Sequence, residues 1–302
     1  MSPSDAPARW AAVVVNYEAG PLLAGCIRSI RADTSAGDPE IVVVDNGSTD
    51  GSTMAIAHLT DVTVVTAGRN LGYAGAANVG IARTTAPIVA VCNPDITVEP
   101  GTAAALLSRF DADPTLGAVG PLVRERDGTP YPSARRVPSV ADAVGHGVLG
   151  LVKPDNPFTR RYRELDADPL QPREVDWVSG AAVWLRREAV QSVGGWDEGY
   201  FMYVEDVDLC WRLRRAGWRI AYEPAGRVTH VQGASTAHHP YWMIAEHHRS
   251  LLRFASKRWR GWQRLLLVPA ACYLAGRAGL AMLLHALRSG AGSRSGARQG
   301  TG

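Results

Sequence analysis

The stretch Ile41-Val42-Val43-Val44-Asp45-Asn46-Gly47-Ser48 reads as a strand buried on both faces that ends in a polar turn. An unbroken β-branched run without polar alternation belongs to a parallel sheet covered on both sides. Polar residues at its carboxyl end mark the edge where an open α/β sheet binds ligands. The pattern repeats outward from here. Strand-like runs over 10–17, 62–65, 87–92 and 116–119 alternate with helical spacing over 21–31, 74–83 and 99–110. Thr49-Asp50-Gly51 reads as the opening of a further helix. This rhythm predicts an α/β domain with a mostly parallel sheet. Residues 124–173 are rich in Pro and Arg and weakly periodic, which predicts a long excursion with little regular structure. Pattern returns at 175–185, in a helix over 206–216, and in strands over 219–222 and 228–231.

Composition narrows the function classes. The 302 residues are 46% apolar and 20% charged, enough to bury a full core. The net charge of +3 is a balance of −6 over residues 1–240 and +9 over residues 241–302. Four scattered cysteines (Cys26, Cys92, Cys210, Cys272) form no CxxC pair, so neither a zinc knuckle nor a disulfide framework is expected. Cys26, Cys92 and Cys210 sit in apolar patterns as core thiols. Residues 1–9 lack a basic start and a long apolar stretch, so no secretory signal is expected and a reducing cytoplasm is the default. No nucleic-acid recognition module is found.

The polar residues gather at the strand ends. Asn16 and Glu18 follow the first strand, Asp45 and Asn46 the second, Arg69 and Asn70 the third, Asn93 and Asp95 the fourth. Each alone fits a cap or turn; four in register point to a ligand edge. The position after the first strand reads Asn16-Tyr17-Glu18-Ala19-Gly20, without the glycine cradle of a dinucleotide site. No Walker-type loop exists, and the only lysines are Lys153 and Lys257, so phosphate charge must meet arginine or a metal. Asp95 in Asn93-Pro94-Asp95 suits a hard divalent cation, although it also fits a turn. Glu205-Asp206-Val207-Asp208 packs three carboxylates together, which raises a pKa as a general base needs; Asp206 equally fits a helix cap. His230, ending a late strand, is either structural or a second metal ligand.

These motifs, in this order, resemble the family-2 inverting glycosyltransferases of GT-A fold. The resemblance rests on Val14-Val15-Asn16-Tyr17, Val43-Val44-Asp45-Asn46-Gly47-Ser48-Thr49-Asp50-Gly51, Asn70-Leu71-Gly72-Tyr73 with Asn78, Asn93-Pro94-Asp95, Glu205-Asp206-Val207-Asp208-Leu209 and His230. It implies donor-binding roles for Asn16, Glu18, Asp45, Asn46, Arg69, Asn70, Gly72, Asn78 and Asn93, with loop ordering the alternative for Arg69, Asn70 and Asn78. It implies Asp95 as the chief ligand of Mg2+ or Mn2+, because Asn93 replaces the first Asp of the family's D-x-D, with His230 as the second ligand. Asp206 matches the catalytic base and Glu205 is the fallback; Trp177, Gly180, Trp196 and Asp197 would line the acceptor side. Within the family, Tyr131-Pro132-Ser133-Ala134-Arg135-Arg136, Asn156-Pro157-Phe158-Thr159, Trp177-Val178-Ser179-Gly180 and His247-His248-Arg249-Ser250 resemble the actinobacterial rhamnosyltransferases of cell-wall linker synthesis. That implies transfer of L-rhamnose from dTDP-L-rhamnose to N-acetylglucosaminyl-diphospho-decaprenol. Another dTDP- or UDP-sugar donor, and a membrane-bound scaffold that binds a nucleotide sugar without turnover, remain alternatives.

The expected layout is an N-terminal tail (1–9), a glycosyltransferase domain (10–240), membrane-associated helices (241–289) and a disordered Gly/Ser/Arg-rich tail (290–302). Residues 265–287 are long and apolar, but Pro269 and Arg277 interrupt them. Helices lying in the interface of the cytoplasmic membrane face are favoured over docking on the body or spanning, with Arg249, Arg253, Lys257, Arg258 and Arg260 toward anionic headgroups. The partners expected are a nucleotide-sugar donor, a polyprenyl-diphosphate-linked acceptor and the membrane surface; an oligomer is left open.

Overall fold

The computed structural model describes residues 7–150, 153, 155–231 and 240–296. Strands β1 (Trp10–Asn16), β2 (Glu40–Asp45), β3 (Val62–Thr66) and β4 (Ile88–Cys92) form the parallel half of the sheet, in the order β3-β2-β1-β4. All seven residues of β1 are buried, as the unbroken apolar run predicts for a central strand. Helix α1 (Leu22–Ala32) buries Leu23, Cys26, Ile27 and Ile30, one stripe at helical spacing. Helix α2 (Gly72–Ile81) is built of small residues because it lies close to the sheet: a Cβ on Gly80 would come within 2.2 Å of Val13 Cγ1. The helix expected after Gly51 is a single 3-10 turn over Ser52–Ile56.

The second half of the sheet reverses direction. After β5 (Ile96–Val98) and α3 (Thr102–Ala112), the chain adds β6 (Leu116–Arg124), then the short β7 (Pro130–Tyr131) and β8 (Ala134–Arg135). Asp33 caps α3 from outside, its carboxylate accepting from Gly101 N at 3.0 Å and Ala103 N at 2.7 Å. The excursion over 124–173 is more regular than its composition predicts. It holds α4 (Val140–Leu149) and α5 (Pro157–Arg163). Ser139 and Asn156 cap these two helices through their side chains, and Pro157 takes the first turn of α5. Next come β9 (Arg173–Glu174), β10 (Trp177–Val178), β11 (Ala182–Arg186), α6 (Arg187–Ser192) and α7 (Glu205–Arg215). The two late strands expected over 219–231 are one long strand, β12 (Arg219–His230), with an irregularity between Glu223 and Arg227. β11 runs antiparallel to β4 and β6, and β5 antiparallel to β12, while β6 and β12 are parallel. Cys26, Cys92 and Cys210 are buried free thiols, as expected.

The described residues divide into two units. One is the sheet domain; the other comprises residues 202–204 together with 240–296. Within the second, α8 (Pro240–Arg258) and α9 (Leu267–Gly296) carry an internal polar link. His248 Nε2 lies 2.8 Å from an Arg277 guanidinium nitrogen, and its Nδ1 lies 2.7 Å from Ile244 O. The charge that interrupts the apolar helix is thus held by a side chain of the preceding one. Residues 261–283 are long and apolar enough to cross a membrane by length and composition, with Trp262, Leu265 and Val268 exposed. α9 runs to Gly296, through part of the stretch expected to be a disordered tail; residues 297–302 lie outside the described residues.

Candidate functional site

The parallel register places Asn16 opposite Asp45 at the carboxyl ends of β1 and β2. Asn16 is fully buried, and its Nδ2 reaches Asp45 Oδ1 at 3.2 Å, Ser48 Oγ at 3.1 Å and Ser52 Oγ at 2.9 Å. Glu18 accepts from Thr49 N at 2.8 Å and Thr49 Oγ1 at 3.0 Å. Asn16, Glu18, Asp45 and the turn after β2 therefore form one connected edge. Ser48 and Ser52, which tie it together, were missed as site residues, although Ser48 sits inside the opening motif.

Several residues expected at the donor also tie loops together. Asn46 Nδ2 donates to Asn70 Oδ1 at 3.0 Å and Gly72 O at 3.2 Å, while Asn46 Oδ1 accepts from Leu71 N at 2.8 Å. Asn70 Oδ1 also accepts from Gly72 N at 2.9 Å. Gly72 has φ +76°, and a Cβ there would lie 2.3 Å from Phe201 O; the position needs glycine for close backbone approach. Asn78 donates to Trp196 O and Glu198 Oε1, both at 2.9 Å, and accepts from Trp196 N at 2.9 Å. The amides of Asn46 and Asn78 are engaged by the protein itself and order these loops. Arg69 is exposed beside this edge.

The metal candidates do converge. β5 and β12 pair so that His230 lies opposite Ile96, beside Asp95. His230 Nε2 is 3.0 Å from Asp95 Oδ1, and Asn93 Nδ2 lies 3.2 Å from the same ring nitrogen. His230 Nε2 thus faces both a carboxylate oxygen and an amide nitrogen, and its tautomer sets whether it donates to Asp95 or accepts from Asn93. Asp95 Oδ1 and His230 Nδ1 are both buried without a hydrogen-bond partner. A carboxylate oxygen and an imidazole nitrogen at this spacing are both of types that ligate a divalent cation. Among the described residues no three His, Cys, Asp or Glu side chains gather as a metal cluster.

The base candidate is held on the opposite wall. Antiparallel pairing of β11 with β4 sets Asn93 N on Ala181 O at 3.0 Å, which brings Gly180 beside the fourth strand end. Gly180 N donates to Asp206 Oδ2 at 2.9 Å, and Val207 N to Asp206 Oδ1 at 2.8 Å. Burial raises the Asp206 pKa; the two backbone donors and the charge of Arg135 oppose this without cancelling it. Asp206 is thus a partly accessible carboxylate of raised basicity at a helix start, the character a general base needs. Tyr73 donates to Gly180 O, and burial holds its hydroxyl protonated. Gly180 is thus fixed on both sides. Tyr73 closes the Asn70–Tyr73 motif, yet its role was not legible there.

Other expectations change. Glu205 is buried at the start of α7. Asp208 is fully buried, bonded to Arg212 at 2.6 Å and to Tyr200 Oη at 3.2 Å, so it is a structural ion pair rather than part of a catalytic cluster. Trp196 is buried and meets the Tyr73 ring edge-on at 5.6 Å, supporting Tyr73 rather than offering its face to a sugar. Trp177 is buried as well, with the Arg135 guanidinium 5.0 Å from its ring centre. Asp197 closes a turn by accepting from Gly199 N at 2.9 Å.

Comparison with known proteins gives the same answer as the geometry. Residues 11–194 match the family model Glycosyl transferase family 2, and residues 169–288 match Glycosyl transferase family group 2. The chain is 40% identical over 264 residues to the N-acetylglucosaminyl-diphospho-decaprenol L-rhamnosyltransferase of Mycobacterium tuberculosis, covering 83% of this chain and 85% of that one. It is 32% identical over 212 residues to the pre-mycofactocin glycosyltransferase of the same organism, covering 66% of this chain and 39% of that one. A mannosyltransferase from Pyrobaculum calidifontis, solved with GDP-Man and Mn2+, shares the fold at a TM-score of 0.56 and 19% identity, over 98% of this chain and 81% of that one. The sheet order, the polar strand ends and these matches together establish that the chain is a glycosyltransferase and belongs to glycosyl transferase family 2.

Proposed function

We propose that the chain transfers L-rhamnose from dTDP-L-rhamnose to N-acetylglucosaminyl-diphospho-decaprenol with inversion at the anomeric carbon. The observation that carries this reading is the 40% identity, over most of both chains, to the mycobacterial enzyme of that name. The geometry supplies a route. Asp206, with its oxygens oriented by Gly180 and Val207, removes the proton of an acceptor hydroxyl. That oxygen forms a bond to the anomeric carbon from the face opposite the nucleotide. The bond to the diphosphate breaks and dTDP leaves. Asn16, Glu18 and Asp45 form the edge that would receive the donor nucleotide, with Arg69 beside it. Asp95 and His230 would hold a Mg2+ or Mn2+ ion, which when bound neutralises charge on the leaving diphosphate. Two protein ligands leave coordination positions for diphosphate oxygens and water.

In this proposal residues 10–240 carry the chemistry. Residues 241–289 hold the enzyme on the cytoplasmic face of the membrane, where a polyprenyl-linked acceptor resides. The exposed Trp262, Leu265 and Val268 and the +9 charge of residues 241–302 support an interfacial placement. The test is product analysis after incubation with dTDP-L-rhamnose and a polyprenyl-diphospho-N-acetylglucosamine. The expected product carries one added rhamnose in inverted configuration. Turnover with a different nucleotide sugar and none with dTDP-L-rhamnose would overturn the donor assignment.

A further inference from the structure

The excursion between the two site clusters holds a charge that the mechanism above leaves unused. Arg135, in β8, is only 8% exposed. Its guanidinium carbon lies 5.4, 5.6 and 5.0 Å from the ring centres of Tyr131, Tyr162 and Trp177. Nε donates to Pro132 O at 2.6 Å, and a terminal nitrogen donates to Tyr131 Oη at 2.8 Å. A cation withdrawn from water is costly unless an anion meets it. The neighbouring Arg136 has such a partner, Glu164 at 2.7 Å; Arg135 has no ion-pair partner among the described residues. Three aromatic rings offset part of the cost. Burial pulls the Arg135 pKa down, and Tyr162, Tyr131 and Asp206 more than restore it, so the charge is retained.

The charge lies near the base without pairing to it. β8 and β10 pair with Arg135 opposite Trp177 and Ala134 opposite Val178. Ser179 N bonds Ser133 O at 2.8 Å, and the next residue, Gly180, bonds Asp206. Both Asp206 oxygens accept from backbone amides, while Arg135 donates to Pro132 O and the Tyr131 hydroxyl and also meets Tyr162. A cage built to neutralise Asp206 would form the direct pair. This one keeps a full positive charge beside the place where an acceptor hydroxyl must sit.

We propose that the Arg135 cage binds the diphosphate that joins the acceptor's sugar to its lipid. The proposal rests on the acceptor class argued above. In such an acceptor the diphosphate hangs from the same sugar ring whose hydroxyl faces Asp206, so an anion lies one ring away from the base. A guanidinium fork matches phosphate oxygens. Tyr131, whose hydroxyl accepts from Arg135, keeps its own proton to donate. The apolar cage strengthens each of these bonds relative to water.

The test compares two acceptors on the full-length enzyme with dTDP-L-rhamnose: a short polyprenyl-diphospho-N-acetylglucosamine and a neutral alkyl glycoside of N-acetylglucosamine. Wild type should favour the diphosphate acceptor. Arg135→Gln should lower kcat/KM for it about tenfold more than for the neutral one, mainly through KM. Arg135→Lys, which keeps charge but not the fork, should fall between. An equal loss on both acceptors, whether with a moved pH profile (Arg135 acting on Asp206) or with a lowered melting temperature in both variants, overturns the proposal. So does a wild type that shows no preference for the diphosphate. Failure of dTDP-L-rhamnose itself, with another nucleotide sugar active, faults the donor reading alone; the two acceptors are then compared with that donor.

Discussion

The two carboxylates of the site, Asp206 and Asp95, are held in opposite ways. Asp206 rests on two backbone N–H groups, one from the start of its own helix and one from Gly180. Asp95 faces the imidazole of His230, and its buried Oδ1 accepts no hydrogen bond. The first arrangement is complete without any ligand and suits a group that must stay in place while a proton moves. The second pairs a carboxylate with an imidazole, two groups that can share a cation. In the proposed mechanism one wall serves proton transfer and the other metal binding.

The largest effect should come from Asp206→Asn. It leaves the shape but removes the proton acceptor, and transfer should fall by about 10²–10⁴-fold. Donor affinity, measured by titration calorimetry, should hold. Equal loss of binding and turnover would erase the contrast between the walls. Next, Asp95→Ala should weaken metal-dependent donor binding on the order of a hundredfold. His230→Ala should do the same less severely, and neither should alter donor binding in chelator. Gly72→Ala ranks third. It must take φ +76° and push against Phe201 O, costing about 2–4 kcal/mol of stability by denaturant titration. Asn78→Ala should cost about 1–3 kcal/mol, since the Trp196 N–H and C=O both lose their partner.

The smallest effect concerns pH. The folded-state pKa of Asp206 is raised, so its contribution to stability is greatest below the unfolded pKa and is lost as pH rises through the folded one. Wild type should therefore gain stability relative to Asp206→Asn as the pH falls toward the unfolded-state pKa. A loss relative to the variant over that range would mean that Asp206 is stabilised as a carboxylate. The same raised pKa should place the acid limb of kcat/KM above the ordinary aspartate range, with activity rising with pH.

Strand ends were legible because residue type and position coincide there: a buried β-branched run followed by Asn or Asp. What those side chains do was not. Asn46 and Asn78 have the same chemistry whether they bind a ligand or tie a loop, and only the partners of each amide hydrogen decide. The helices of the excursion did leave a signal, Ser139 and Asn156-Pro157 at their starts, but the Pro and Arg content hid it. Arg135 was legible only as part of the Tyr131–Arg136 motif, not in its role. An arginine reads as surface charge until three rings, two of them distant in sequence, are seen to close over it. Similarly, two late strands looked separate because the irregularity between Glu223 and Arg227 breaks the alternation of one continuous strand.

The pairing of β5 with β12 has a consequence for how the enzyme comes into being. It joins the Asn93–Asp95 turn to a histidine 137 residues beyond Asn93. Long-range strand pairing closes a large loop and is slow compared with local helix formation. A nascent chain can complete β1 to β4, and with them the nucleotide edge, well before β12 emerges. Metal affinity should then appear as a late, all-or-none event in synthesis and refolding. Ion binding would serve as a clock for the docking of the last sheet strand.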